Sequence, residues 1–358
     1  MSRLTLDSVG WGEFYFSEVF DKIYIAQSTD LNKLDVGEVV FIGRSSDNNG
    51  LQDFVNVEPT RIVDKNCITV SMVGEPRSFY QQHDFTCSQN ILILRNDKYL
   101  NKSVAMYLCA IINNYLVEKG YGYGYPVGLK RVLRSKIMLP IDFKNNPNWQ
   151  FMEDYIKQEM RDQSRKMLSY YESQLTKLQS ELVDCEVEWK KVKVRDIFEV
   201  KPVKGKSITN YEEGKIPYIS TSSIDNGLSN FIDTVDNISI KNCISVDPIG
   251  GKAFFHDYDF VGRGGAGSAI NLLYNTCLDK YSGLFICKIL ESSSFYKASY
   301  GVQLNGNRLK NLKLLIPVDN DGKPNWEYMG NFMKGLEKES IEKVIAYLYS
   351  YIDRPVAL

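Results

Sequence analysis

Trp11-Gly12-Glu13-Phe14-Tyr15-Phe16-Ser17-Glu18-Val19-Phe20 returns later in the chain as Trp189-Lys190-Lys191-Val192-Lys193-Val194-Arg195-Asp196-Ile197-Phe198. Two further pairs keep the same spacing. Ser45-Ser46-Asp47-Asn48-Asn49-Gly50-Leu51 is matched by Thr221-Ser222-Ser223-Ile224-Asp225-Asn226-Gly227-Leu228, and Pro147-Asn148-Trp149-Gln150-Phe151-Met152 by Pro324-Asn325-Trp326-Glu327-Tyr328-Met329. Trp189 follows Trp11 by 178 residues, Gly227 follows Gly50 by 177, and Pro324 follows Pro147 by 177. A constant register over three separated blocks marks a tandem duplication. Its interiors have diverged, which suits a protein that reads two different, paired targets. A single active site needs no second copy.

Composition sets the outer bounds. The 358 residues suffice for two or three domains, and 44% hydrophobic with 24% charged is ordinary for a globular chain. No apolar run reaches the roughly 18 residues that span a bilayer, and the opening residues carry no apolar secretory core. A cytoplasmic protein without membrane partners is expected. The seven cysteines are odd in number and include no Cys-x-x-Cys. They are expected to be small core residues rather than disulfides or zinc ligands. A net charge of −1 argues against non-specific coating of nucleic acid, which needs excess Lys and Arg, but leaves room for a local basic face. The 23 tyrosines suit strands, helix seams and polar grooves alike.

Each repeat opens with the aromatic-led segment and continues with a strand, Glu38–Gly43 or Lys215–Ser220. An Asn-Gly turn follows, whose residues accept the positive φ of a hairpin. Cys67–Val70 and Ile91–Leu94 read as strands in the first repeat, Cys243–Val246 and Gly283–Cys287 in the second, because they are short, β-rich in composition and bounded by turn residues. Val104, Tyr107, Leu108, Ile111, Ile112 and Tyr115 recur at helical spacing, which predicts a helix over Ser103–Leu116. Each repeat closes with an apolar strand containing Pro, Lys136–Asp142 or Lys313–Asp319. Asn148 and Asn325 then stand where a helix N-cap belongs.

The helix after Asn148 has no Gly or Pro before about Val183, a length of roughly 50 Å. Leu168, Tyr171, Leu175, Leu178 and Leu182 step by threes and fours along it, the seam of a coiled coil. Ile341, Val344, Leu348 and Tyr351 form a matching stripe after Asn325. The two helices are expected to pair antiparallel; the alternative is that each caps its own β domain.

Catalytic patterns fail. Gly205-Lys206-Ser207 resembles the end of a phosphate loop, but position 200 is Val where that loop needs Gly. Gly262-Arg263-Gly264-Gly265-Ala266-Gly267-Ser268 is not a dinucleotide fingerprint and reads as a loop able to approach a phosphate backbone. Asn146-Pro147-Asn148-Trp149 and Asp247-Pro248-Ile249-Gly250 both lack the second Pro of an amino-methyltransferase loop. Glu199-Val200-Lys201 with Asp196 is a weak magnesium-nuclease candidate. His83 and His256 lack neighbouring ligands or nucleophiles in sequence and are expected in loops. No catalytic or metal residue is assigned.

Side chains able to touch DNA are more plentiful, since Asn and Gln pair with adenine and Arg with guanine. The first repeat offers Arg44, Ser46, Asn48, Gln81, Gln82, Gln89, Tyr123 and Lys130. The second offers Lys204, Lys206, Ser220, Ser222, Ser223, Asn226, Arg263, Ser268, Asn305, Asn307 and Arg308.

The chain resembles the specificity subunit of type I restriction–modification systems, or its relative in type IIB systems. The resemblance is carried by Trp189–Phe198, Ile216–Leu228, Ala253–Val261 and Leu309–Val318, and the first repeat follows the same outline more loosely. It implies an α+β protein: two tandem β-rich target-recognition domains separated by two long helices that form an antiparallel coiled coil. The expected boundaries are 1–147 and 189–324 for the domains, with spacer helices at 148–188 and 325–358. It further implies that each domain reads half of a bipartite double-stranded DNA site. The helices would dock DNA adenine methyltransferase subunits, which carry S-adenosylmethionine; this chain would hold no cofactor. Some such complexes add a restriction subunit. The rival functions are a cryptic nuclease built on Glu199 and Lys201 and a scaffold that reads no sequence.

Overall fold

The structure, a computed structural model, describes residues 3–178, 187–265, 269–294 and 302–352. Leu182, Cys185 and Ser268 lie outside the described residues. Contacts divide the chain into one unit of Met1–Met167 with Tyr351–Leu358, and a second of Leu168–Ser350.

The first repeat contains β1 (Trp11–Tyr15), α1 (Phe16–Val19), β2 (Lys22–Ile25), β3 (Val36–Ile42), β4 (Leu51–Val55), β5 (Cys67–Ser71), β6 (Ser78–Gln81), β7 (Phe85–Cys87), β8 (Ile91–Arg95), α2 (Lys102–Glu118), α3 (Leu129–Val132) and β9 (Lys136–Pro140), before α4 (Trp149–Lys177). The second contains β10 (Glu188–Lys193), α5 (Val194–Ile197), β11 (Glu199–Pro202), β12 (Glu212–Ile219), β13 (Leu228–Asp233), β14 (Cys243–Val246), β15 (Ala253–His256), β16 (Val261–Gly262), β17 (Asn271–Tyr274), α6 (Lys280–Ser294), α7 (Gly306–Asn311) and β18 (Lys313–Val318), before α8 (Trp326–Ile352).

The two repeats share one topology. In each, the opening strand clasps the closing strand antiparallel: Trp11 faces Pro140 in β1–β9, and Trp189 faces Pro317 in β10–β18. Each has a four-stranded sheet, β2-β8-β5-β6 or β11-β17-β14-β15, and a three-stranded sheet, β4-β3-β7 or β13-β12-β16. In the three-stranded sheets β3 runs parallel to β7 and β12 parallel to β16. The cores correspond as well. Phe16, Phe20, Ile68, Val70, Leu139 and Met152 are buried in one, and Val194, Phe198, Ile244, Val246, Ile316 and Met329 in the other.

The turns explain the repeated Asn-Gly. Asn48, Asn49 and Gly50 lie at φ 50, 57 and 75°, and Asp225, Asn226 and Gly227 at 51, 53 and 77°. Three consecutive left-handed residues are tolerable only where Asn, Asp or Gly supply them. The helix caps also form: the Asn148 carboxamide accepts from Phe151 N at 3.0 Å, and that of Asn325 from Tyr328 N at 2.9 Å.

Gly283–Cys287 is helix, not strand. Ser282, Gly283, Ile286, Cys287, Leu290 and Ser294 of α6 are buried, a helical spacing, and Asp279 caps it by accepting from Ser282 N at 2.7 Å. Lys280 follows Lys102 by 178 residues, so α6 is the counterpart of α2, and β17 is the counterpart of β8. His256 is not in a loop but ends β15, fully buried. Cys277 is exposed, unlike the buried Cys67, Cys87, Cys243 and Cys287. Among the described residues no helix is long and apolar enough to cross a membrane.

Helix α4, 29 residues and about 44 Å long, ends at Lys177. Leu168, Tyr171, Leu175 and the following Leu178 are half-buried; in α8, Ile341 and Leu348 are buried and Val344 and Tyr351 half-buried. Within the first unit the Tyr351 hydroxyl meets the Met160 sulfur at 3.2 Å; within the second the Tyr349 hydroxyl donates to Glu172 at 2.7 Å.

Candidate nucleic-acid interface

Backbone hydrogen bonds gather distant loops onto one rim in each unit. In the first, Val127 N bonds Met72 O at 2.8 Å, Met72 N bonds Asn90 O at 2.9 Å, Ser88 N bonds Ile42 O at 2.9 Å, and Thr29 N bonds Cys87 O at 2.9 Å. In the second, Leu304 N bonds Pro248 O at 2.7 Å, Arg263 N bonds Ile219 O at 2.8 Å, and Gly264 N bonds Gly205 O at 2.9 Å. The rim therefore carries the segments that follow β2, β3, β5 and β7, or β11, β12, β14 and β16. Gly205 and Gly264 are needed there for close approach: a Cβ on either would strike the backbone of the facing strand segment. This accounts for Gly205-Lys206 without a phosphate loop.

The same frame presents different side chains. On the second unit's rim Lys204, Lys206 and Arg263 are exposed, and the Arg263 guanidinium reaches the Thr221 hydroxyl at 3.5 Å. Counting back 177 residues from Lys204 and Lys206 gives Gln27 and Thr29, and Ser88 makes the bond that Arg263 makes. At these three positions one rim is basic where the other is neutral and polar, while exposed Arg44 in the loop after β3 stands where the second unit has Thr221.

Behind each rim lies a matched buried polar pair. Gln81 Nε2 donates to Thr69 Oγ1 at 2.9 Å in the first unit; His256 Nε2 and Ser245 Oγ lie 2.8 Å apart in the second. Gln81 and His256 hold the same strand position, facing Cys67 and Cys243 respectively. Burial holds the His256 imidazole neutral, lowering its pKa to about 4, against a small opposing pull from Asp257. Burial likewise raises the Cys67 and Cys243 thiols to about 12, so neither is a thiolate nucleophile.

Residues 8–166 and 186–346 each match the family model described as the type I restriction modification DNA specificity domain. The chain belongs to that family. It carries two copies of the specificity domain, one for each repeat. The type II restriction enzyme specificity subunit S.BcgI of Heyndrickxia coagulans is 25% identical over 340 residues, covering 93% of this chain and 96% of that protein. Among solved structures, the type I S subunit from M. genitalium aligns over 97% of this chain and 95% of its own, with 14% identity and a TM-score of 0.47. The HsdS subunit from Thermoanaerobacter tengcongensis aligns over 96% and 92%, with 14% identity and a TM-score of 0.32.

Within the specificity domains, the structure sorts the expected DNA-contact residues. Arg44, Asn48 and Gln89 are exposed and Ser46 half-buried in the loops after β3 and β7. Tyr123 and Lys130 are exposed beside Val127 in the chain. Ser223 and Asn226 are exposed, whereas Ser220 and Ser222 are half-buried and bonded to the carbonyls of Gly227 and Ile224. Asn307 is exposed on α7. Gln81 needs correction, and three others have a position or a structural partner that the sequence does not show. Gln81 is only 4% exposed and spends its carboxamide on Thr69 and Asn49, so it braces the turn rather than facing a ligand. Gln82 is exposed but sits between β6 and β7, at the opposite end of β7 from the rim. Asn305 caps α7 by accepting from Arg308 N at 3.1 Å. Arg308 donates to the carbonyls of Val302 at 2.8 Å and Gln303 at 2.7 Å, which ties down those two residues ahead of α7.

Sequence reasoning missed Gln27, Thr29 and Arg131. The repeat register locates the last: Arg131 lies 177 residues before Arg308 and donates at 2.6 Å to Pro126 O, itself 177 before Gln303. The nuclease candidate gains no cluster. Glu199 pairs with Lys201 at 2.8 Å and Asp196 with Arg195 at 3.7 Å, all exposed, and no group of three His, Cys, Asp or Glu gathers among the described residues.

Proposed function

We propose that this chain is the DNA sequence-recognition subunit of a multisubunit restriction–modification complex. Each unit lays its rim on one half of a bipartite duplex site. Exposed cations set position on the phosphates, while amides, hydroxyls and Arg263 address base edges. The observation that carries this reading is the duplicated rim: one backbone arrangement, made twice, bearing Lys204, Lys206 and Arg263 in one copy and Gln27, Thr29 and Ser88 in the other. Duplicated scaffolding with diverged ends suits two addresses better than one reaction.

The chain acts without catalytic residues of its own. DNA adenine methyltransferase subunits, carrying S-adenosylmethionine, dock on α4 and α8, which pair antiparallel through the Leu168–Leu175 stripe of α4 and the Ile341–Tyr351 stripe of α8. A restriction subunit or a fused nuclease completes some assemblies. The buried Ile341 and Leu348 and the two hydrogen bonds of Tyr349 and Tyr351 support the pairing.

Methylome sequencing of cells expressing the chain with its methyltransferase tests the reading. The expected motif has two short specified blocks separated by an unspecified gap. A motif that is contiguous, or no motif at all, contradicts it. Purified chain with DNA and magnesium should not cut; cleavage abolished by Glu199→Gln would restore the nuclease reading.

A further inference from the structure

The segment between α2 and α3 is a braced aromatic finger. Gly122 and Tyr125 exchange both backbone hydrogen bonds, at 3.0 and 3.2 Å, and leave Tyr123 and Gly124 at the tip. Below the tip the Tyr121 and Tyr125 rings stack with centroids 5.1 Å apart and planes 8° apart. The Arg131 guanidinium lies over the Tyr125 ring at 4.3 Å while holding Pro126 O. The Tyr121 hydroxyl meets that of Tyr115 at 3.2 Å, and Tyr115 donates to Ser135 at 2.6 Å. The finger's foot is the Val127–Met72 bond of the first unit's rim.

All this bracing holds out one ring. Tyr123 is 91% exposed, whereas Tyr107 and Tyr115 of the same unit are 4% and 5% exposed. Its neighbours are both glycine, and a Cβ on Gly124 would meet nothing. The ring is therefore presented on a tip with no flanking side chains, thin enough to enter a narrow gap. Lys119, Lys130 and Arg134, all exposed, lie in the segments leading into and out of the finger, beside Glu118. A bare aromatic plane among cations suits a planar ligand that carries phosphate.

We propose that Tyr123 is a stacking wedge, inserted at a base step of the duplex held on the first unit's rim. Stacking uses the face every base possesses, so the wedge contributes affinity and local distortion rather than hydrogen-bond reading. This rests on the DNA-reading function proposed above. It assigns Tyr123 a different role from the polar residues of the rim.

The test uses the chain assembled with its methyltransferase and duplexes bearing the methylome motif, with 2-aminopurine at single positions in and beside the first unit's half-site. Wild type should raise the fluorescence at one step severalfold, and Tyr123→Ala should abolish that rise. Tyr123→Ala should also weaken binding by roughly 5- to 150-fold. Tyr123→Phe and Tyr123→Trp should restore both signals, because the ring and not the hydroxyl does the stacking. The proposal is overturned if Tyr123→Ala binds and reports like wild type, or if Tyr123→Phe fails as badly as Tyr123→Ala. It is equally overturned if Tyr123→Ala leaves DNA signals intact and loosens only the methyltransferase, which would make the finger a protein contact. Loss of motif preference in wild type itself would instead remove the DNA-reading function.

Discussion

The second unit's rim carries Lys204, Lys206 and Arg263; the first unit's equivalent positions carry Gln27, Thr29 and Ser88. Behind them, Ser245–His256 stands where Thr69–Gln81 stands. The backbone bonds beneath are the same. The two halves thus keep the backbone that builds the scaffold and vary what meets a ligand, and they also vary a buried pair that titrates in one copy and cannot in the other. The first unit, uncharged at these three positions, adds the Tyr123 finger.

The comparison breaks most sharply in the cores. Leu108 of α2 and Ile286 of α6 are fully buried, so Leu108→Ala and Ile286→Ala should each cost about 2–5 kcal/mol. Hydrogen exchange should show the loss confined to the unit that bears the substitution. Equal loss in both would mean that the repeats do not fold as separate cooperative bodies.

Next comes acid. His256 is neutral in the fold with a pKa of about 4, whereas an unfolded histidine titrates near 6.5. Below pH 6.5 the unfolded state takes the proton and the folded state does not. The second unit should lose about 1.4 kcal/mol per pH unit between roughly 6.5 and 4, beyond what its carboxylates cause. Denaturant titrations should show His256→Gln, which copies the first unit's residue, flattening that slope. A slope unchanged by the substitution would place the sensitivity elsewhere.

DNA binding should separate the rims by salt. Lys204→Ala or Lys206→Ala should weaken binding by about 1–2 kcal/mol and lower the steepness of log affinity against log salt by about 1; Gln27→Ala should leave that steepness alone. Equal salt slopes would mean that the charge difference between the rims is not used. Smallest is the shared turn. Gly50→Ala and Gly227→Ala, at φ 75 and 77°, should each cost about 1–2 kcal/mol in thermal or chemical unfolding, and by similar amounts because the turns match.

Much of the fold is legible in the sequence because duplication supplies its own check. The Asn-Gly turns, the Asn148 and Asn325 caps and the closing strands recur in register. The largest exception is Gly283–Cys287. Its Gly-Leu-Phe-Ile-Cys run is short and β-rich, so local composition outweighed both the Asp279 cap and the register that pairs it with α2. The rim is harder to read, because it is assembled by hydrogen bonds between segments far apart in sequence. Polarity alone does not distinguish Gln81, turned inward, from Gln89, turned outward. Nor does it reveal that Arg308 and Arg131 hold the carbonyls of Gln303 and Pro126. Those facts depend on which carbonyl lies within reach.

The most direct test of two independent readers is exchange of residues 1–147 for the same region of another family member, followed by methylome sequencing. Two readers mounted separately predict a motif with one block replaced and the other block unchanged. A motif changed in both blocks, or in neither, would contradict the account.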